Sequence, residues 1–234
     1  MPVIAFANPK GGAGKTTSAL LLASELSSHG AEVAVIDADP ERWISGWGRL
    51  PGRPGRLRVV EGVSEEAIMD VIAQESERAQ FVVVDLEGTA SLMVAHAVGM
   101  ADLVAIPTQG GSMDAQGAAK TVRLIRNQSR LARRAIAHGV LLTRASAAVA
   151  SRSMRNVRAQ LDAAGVPVFR TQIVERAAFR DLFDYGGLLA DLPAGQVSNL
   201  ARARENAQAF AAEVLERLRE AEAADGSAAL MGAA

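Results

Sequence analysis

Asn8-Pro9-Lys10-Gly11-Gly12-Ala13-Gly14-Lys15-Thr16-Thr17 decides the fold of this 234-residue chain. The stretch contains G-x-x-G-K-T and departs from the general phosphate-loop spacing G-x-x-x-x-G-K-T, so it is a variant of that loop. An apolar run, Val3 to Phe6, precedes it, and Ser18-Ala19-Leu20-Leu21-Leu22-Ala23 follows with helical character. Strand, glycine-rich turn and helix are the context in which the pattern acquires a mechanism. Gly11, Gly12 and Gly14, with Ala13 between them, let backbone N–H groups converge on phosphate oxygens without interference from a Cβ. The positive end of the following helix adds to the attraction. Lys15 is expected to reach the β- and γ-phosphates, the Thr16 hydroxyl to bind Mg²⁺, and Thr17 to complete the cradle.

Lysine usage sharpens the reading. Of 25 basic residues only Lys10, Lys15 and Lys120 are lysines, and the other 22 are arginines. A chain that uses arginine almost everywhere keeps two lysines inside one six-residue stretch. A compact ammonium on a flexible stem fits a phosphate cradle that a guanidinium fork would overfill.

Working outward, the apolar runs Val33 to Ile36 and Phe81 to Val84 each end in an acid, Asp37 and Asp85. Unbroken apolar runs of this kind read as strands buried on both faces of a parallel sheet. Asp37-Ala38-Asp39-Pro40 and Asp85 then fall at carboxyl ends of strands, where open α/β sheets bind ligands. Asp85 is expected to hold Mg²⁺ directly or through water. An N-cap pair opening the next helix is the plainer role for Asp37 and Asp39. Trp43, Ile44 and Trp47 predict a short helix burying both tryptophans. Pro51-Gly52-Arg53-Pro54-Gly55 is a loop. Leu57 to Val60 predicts a short strand, and Ser64-Glu65-Glu66-Ala67 the start of a helix. Leu103 to Thr108 and Ile136 to Thr143 predict two more strands, separated by a helix from Ala115 to about Arg130, and Val166 to Phe169 predicts a further short strand. A helix over Ser151 to Ala164 carries Arg152, Arg155 and Arg158 at three-residue steps, a face suited to DNA phosphates or simply to solvent. The last helix runs from Asn199 to about Glu222, and a small polar tail, 223–234, is expected to be disordered.

Composition excludes several classes. The chain has no cysteine, so thiolate metal sites, disulfides and cysteine-ligated iron–sulfur clusters are out. A net charge of −1 gives no whole-molecule attraction to nucleic acid or anionic lipid, so any such binding needs a local patch. No apolar run approaches the roughly 20 residues of a membrane helix, and the polar face of the last helix is acidic where a membrane-surface helix would be basic. The three histidines, His29, His96 and His138, lack ligand spacing. These features predict a soluble, cytoplasmic protein with one α/β domain over 1–222, built on a single doubly wound, mostly parallel sheet with helices on both faces.

The stretch K-G-G-x-G-K-T-T resembles the deviant Walker A box of the ParA/MinD family of P-loop ATPases, and the resemblance extends over nearly the whole chain. It implies an ATPase using ATP and Mg²⁺, in which Lys10 reaches across a dimer interface to the partner's nucleotide. It implies that Asp39, in the D-x-D-P box, helps position the attacking water, with Asp37 nearer the metal. Leu86-Glu87-Gly88-Thr89 departs from the family pattern after Asp85, and Glu41 stands where the family often has Gln. Thr143-Arg144 stands where the family's base-binding loop begins. Thr171 to Arg180 resembles the segment whose backbone touches adenine, with Arg176 and Phe179 as base-pocket candidates. Pro107 and Asp114 are interface candidates, and Asp114 also suits an N-cap. The chain starts at the phosphate-loop strand, leaving no room for an N-terminal helix-turn-helix. The implied function is an ATP-dependent homodimer that binds DNA non-specifically, associates with the nucleoid and positions a plasmid, chromosome or protein cluster. A ParB-like or other adaptor would stimulate hydrolysis and release it. A MinD-like membrane-cycling ATPase is the alternative.

Overall fold

The computed structural model describes residues 1–89, 91–146 and 151–231. Six strands form one sheet: β1 (Val3–Phe6), β2 (Val33–Ala38), β3 (Leu57–Val60), β4 (Phe81–Leu86), β5 (Leu103–Thr108) and β6 (Ala137–Leu142). Their order is β3-β2-β4-β1-β5-β6, and every pairing is parallel. β1, β2, β4 and β5 are buried almost end to end, which is why they read as unbroken apolar runs.

The helices α1 (Lys15–Ser28), α2 (Trp43–Gly48), α3 (Ile68–Arg78), α4 (Leu92–Met100), α5 (Ser112–Ala132), α6 (Arg152–Ala163), α7 (Ala177–Tyr185) and α8 (Leu200–Met231) divide between the two faces. One core gathers α1, α2, α7 and α8 around Phe6, Trp47, Phe169 and Phe210. The other gathers α3, α4, α5 and α6 around Ile36, Val84, Ile106 and Leu142. With few aromatics available, Phe210 at the middle of α8 contacts both Phe6 and Phe169 edge-on, at centroid separations of 6.4 and 6.0 Å.

β1 lies between β4 and β5, where the connections change direction across the sheet. Ligands in such sheets bind outside the carboxyl ends of the strands at that point, and the loop 7–14 leaves β1 there. Register sets the two candidate carboxylates side by side: Asp37 pairs with Asp85, and Asp85 with Phe6.

Three local expectations are revised, and one helix is added. Only Trp47 is buried; Trp43, at the first position of α2, is 59% exposed. A helix of six residues has one face toward the sheet, and Ile44 and Trp47 occupy it. Val166 to Phe169 makes one parallel bridge, Val140 to Val168, and forms no full strand. The last helix runs past Glu222 to Met231. α4, Leu92–Met100, has no counterpart among the sequence expectations; its apolar residues lie all round and give no 3.6-residue stripe.

Candidate nucleotide site

The loop after β1 is held open by its neighbours. Gly12 and Gly14 have φ of 71° and 97°, left-handed values that a side chain rarely tolerates, and Gly14 precedes the first residue of α1. A Cβ on Gly14 would also come within 3.3 Å of the Thr143 side chain. The loop carbonyls are claimed from outside: Thr143 Oγ1 donates to the Ala13 carbonyl at 2.7 Å, and Gln109 Nε2 donates to the Gly12 carbonyl. Buried Asn8 donates from Nδ2 to the Pro107 carbonyl at 2.6 Å and accepts from Lys10 N–H through Oδ1 at 2.9 Å. With carbonyls tied back, the loop's N–H groups are left for an anion.

That arrangement explains Pro107. It is buried in β5 and pairs with Leu141 of β6, but the pairing of β5 with β1 has already ended at Ala105. A residue without an N–H is tolerated there because no ladder bond toward β1 is needed. Its carbonyl anchors Asn8, so within one subunit Pro107 supports the phosphate loop.

Lys15 is 5% exposed and Asp85 is fully buried. Neither oxygen of Asp85 has a well-formed hydrogen-bond partner, and Asp37 Oδ1 has none. Burial pushes the Asp85 carboxyl up to about 8; the Thr16 hydroxyl opposes this, the Asp37 and Asp39 charges add to it, and Lys15 opposes it. Buried carboxylate oxygens facing one another without donors are a costly arrangement unless a cation joins them. The Thr16 hydroxyl with Asp85 and the free Oδ1 of Asp37 is an oxygen donor set that suits a hard divalent ion such as Mg²⁺. Among the described residues no three His, Cys, Asp or Glu side chains gather as a complete metal cage, so an ion here would draw its remaining ligands from phosphate and water.

Asp37 has a second duty. Its Oδ2 accepts from Ser45 N–H at 2.7 Å and from Ser45 Oγ–H at 2.6 Å. The residue preceding α2, Arg42, has φ of 52° and supplies no side-chain cap, so Asp37 satisfies that helix end from the neighbouring strand. Asp39 accepts from Glu41 N–H at 3.0 Å and borders the phosphate cavity together with Glu41 and Trp43.

Two connected cavities receive these groups. One, of about 700 Å³, is lined by the loop 11–17, Asp39, Trp43, Gly88, Arg180 and Phe183. The other, of about 190 Å³, is lined by Thr143, Ile173, Val174, Arg176, Phe179 and Phe183. Gly14, Thr17, Arg144, Arg180 and Phe183 border both. Phosphates in the larger space and a base in the smaller would be joined across Gly14 and Thr17. Arg176 directly precedes α7, and its Nε is buried without a partner in the smaller cavity. Phe179, one turn on, is buried in the same wall.

Nothing in the sequence marks Asn8, Gln109 and Thr143 as loop supports, because strand ends do not reveal which carbonyl they meet. Arg180 and Phe183 were legible in principle, since they stand four residues beyond Arg176 and Phe179 on one helical face. Gly88 comes so close to the loop that a Cβ would lie 3.3 Å from Gly11 N and 3.4 Å from Lys15 Nζ. Arg152 and Arg155 are exposed and Arg158 half-buried on α6, at the β6 edge of the sheet and away from both cavities. Asp114 caps α5, accepting from Gly111 N–H at 3.1 Å, and forms an ion pair with Lys10.

Comparison with known proteins agrees with this geometry. Residues 1–222 match the model of the VirC1 protein family. The chain is 38% identical over 221 residues to Protein ParA of Rhizobium radiobacter, covering 94% of this chain and 99% of that protein. It is 26% identical over 184 residues to the maintenance of carboxysome distribution protein A of Halothiobacillus neapolitanus, 76% of this chain and 82% of the other. Among solved structures, apo McdA of Cyanothece superposes with a TM-score of 0.74 at 18% identity, over 94% of this chain and 99% of that one. No helix among the described residues is long and apolar enough to cross a membrane. A parallel sheet with a lysine-bearing glycine loop at its switch point, two strand-end carboxylates facing that loop and relatives of this identity lead to one conclusion: the chain belongs to the VirC1 family, within the ParA/MinD group of partition and positioning ATPases.

Proposed function

We propose that the protein is an ATP-driven dimerisation switch that binds DNA without sequence preference while ATP is held, and so positions a cargo. Charge distribution is the observation that carries the DNA half of this proposal. Residues 115–161 contain ten basic and no acidic side chains, leaving 15 basic against 26 acidic in the rest of the chain. This segment spans most of α5 and α6, which pack together at the β6 edge. Lys120, Arg123, Arg126 and Arg130 of α5 are exposed, as are Arg152 and Arg155 of α6. A near-neutral chain thereby offers one strongly positive face, which attracts a polyanion locally while the whole molecule does not.

The nucleotide half rests on the cradle. ATP would lie with its phosphates on the loop 11–17 and its base against Arg176 and Phe179, and Mg²⁺ would supply charge neutralisation at the β- and γ-phosphates. Lys15 binds those phosphates, Thr16, Asp37 and Asp85 hold the ion, and Asp39 orients the hydrolytic water. Lys10 leaves Asp114 to contact the second subunit's nucleotide, closing a sandwich of two chains. An adaptor carried by the cargo stimulates hydrolysis, and the dimer then falls apart and leaves the DNA.

Binding to random-sequence duplex DNA with ATP, ADP or no nucleotide, across a salt series, tests this. Binding confined to the ATP state, and falling steeply with salt, is the expected result. Equal binding in all three states would remove the switch. No binding in any state, despite ATP-dependent dimers, would move the template from DNA to a membrane or protein surface.

A further inference from the structure

Residues 168–176 form an irregular strip between β6 and α8, held by hydrogen bonds along both of its edges. On the sheet side, Phe169 N–H donates to the Val140 carbonyl, Ile173 N–H to the Leu142 carbonyl and Glu175 N–H to the Ala145 carbonyl, at 2.9 to 3.0 Å. On the helix side the partners are side chains. Glu213 accepts Arg170 N–H on Oε1 at 2.8 Å and Thr171 N–H on Oε2 at 2.7 Å. Asn206 accepts Val174 N–H at 2.9 Å and donates to the Gln172 carbonyl at 2.7 Å. Arg217 donates to the Val168 carbonyl at 2.8 Å and places its guanidinium 4.1 Å from the Phe169 ring centroid.

Asn206, Phe210, Glu213 and Arg217 are spaced by four, three and four, so they form one stripe along α8. A side-chain amide that engages the carbonyl of one residue and the N–H two residues on copies what a neighbouring strand would do. Glu213 is 3% exposed; burial alone would raise its carboxyl, but the N–H donors of Thr171 and Arg170 hold it below the usual range. The carboxylate is therefore charged and tied to the strip.

This strip supplies Ile173, Val174, Glu175 and Arg176 to the smaller cavity. We propose that Asn206 and Glu213 are positioning residues for the nucleotide base: α8, which touches neither cavity, sets the wall against which the base is read. The inference rests on the reading of that cavity as the base pocket. The sheet-side bonds hold one edge of this irregular backbone, the α8 side chains hold the other, where no strand neighbours it, and an edge free to move would cost ordering entropy on each binding event.

The test compares Mg-ATP with Mg-bound inorganic triphosphate, which fills only the phosphate cradle, by calorimetry on the full chain and on Asn206→Ala. In the wild type, ATP should bind tighter than triphosphate. Asn206→Ala should weaken ATP on the order of tenfold while changing triphosphate by no more than about twofold. Parallel losses for both ligands in a folded Asn206→Ala would overturn the proposal, as would unchanged ATP affinity. Wild-type ATP binding no tighter than triphosphate would instead remove the base-pocket reading, and this inference with it. Should Asn206→Ala not fold, Asn206→Asp keeps the acceptor for Val174 and loses the donor to Gln172. It should give the same selective loss at several-fold; parallel losses for both ligands would again overturn the proposal.

Discussion

Lys10 Nζ lies 2.5 Å from Asp114 Oδ1 within the same subunit, joining the phosphate loop to the first turn of α5. The lysine is 38% exposed and the aspartate 4%, so the acid is fixed and the base is the member free to leave. Asp114 is fixed because its other oxygen caps the helix through Gly111 N–H. In the proposed switch this pair holds Lys10 at home until a second subunit offers a nucleotide phosphate in its place. Asp114→Asn keeps an acceptor for Gly111 and removes the charge. A partly exposed pair of this kind contributes about 1 kcal/mol, and a symmetric dimer breaks two of them, so ATP-dependent dimers should form at roughly thirtyfold lower protein concentration. Sedimentation across a dilution series reads this directly, and a higher dimerisation threshold would show that Asp114 serves the interface itself.

Lys15→Ala should lose Mg-ATP affinity by at least about two orders of magnitude while the fold persists, because a charge-assisted phosphate contact is removed from a loop that glycines and outside donors hold in shape. Calorimetry checks the affinity and circular dichroism the fold. Normal affinity would sink the phosphate-loop assignment.

Asp85→Asn separates the stability of the metal-free protein from its function. Burial raises this carboxyl from 3.8 to about 8 in the folded chain. A raised folded value means that the group's favourable contribution is complete below about 3.8 and is lost as pH rises toward 8. At neutral pH folding must therefore bring a proton onto this buried carboxyl, a burden of roughly a few kcal/mol. Asp85→Asn should melt several degrees higher than the wild type at pH 7.5 without Mg²⁺, with the gap closing near pH 4. The same variant should lose the Mg²⁺ dependence of ATP binding. A lower melting temperature at pH 7.5 would contradict the cation-site account.

Trp43 offers a reporter that needs no label. It is 59% exposed beside Asp39 and Glu41, whereas Trp47 is 1% exposed in the core. Mg-ATP should shift Trp43 emission to the blue as the rim is covered, and Trp43→Phe should abolish the shift. A shift that survives in Trp43→Phe would place the change at Trp47, inside the core.

What the sequence revealed and withheld follows from distance along the chain. Lys10 to Thr17 is a contiguous pattern, so the loop, its strand and its helix were legible together. Asp37 and Asp85 were legible because buried parallel strands leave unbroken apolar runs that end where the ligand side begins. The all-parallel order and the β1 switch point needed the strands' pairing, which no local pattern encodes. The two bonds of Asp37 to Ser45, the Lys10–Asp114 pair and the clasp of Asn206 and Glu213 on residues 170–174 join elements distant in sequence or role. Their residue types are ordinary for a helix surface or a cap, so only the fold shows what they hold. Trp43 was misplaced because a six-residue window offers too few turns to fix which aromatic faces inward.

The most direct measurement is the mass in solution of wild-type protein and Lys10→Ala by light scattering, with Mg-ATP, Mg-ADP and no nucleotide. The switch predicts a dimer for the wild type with Mg-ATP alone, and a monomer for Lys10→Ala in every state with ATP affinity retained. A Lys10→Ala protein that dimerises with ATP as the wild type does, or a wild type whose mass ignores the nucleotide, would contradict it.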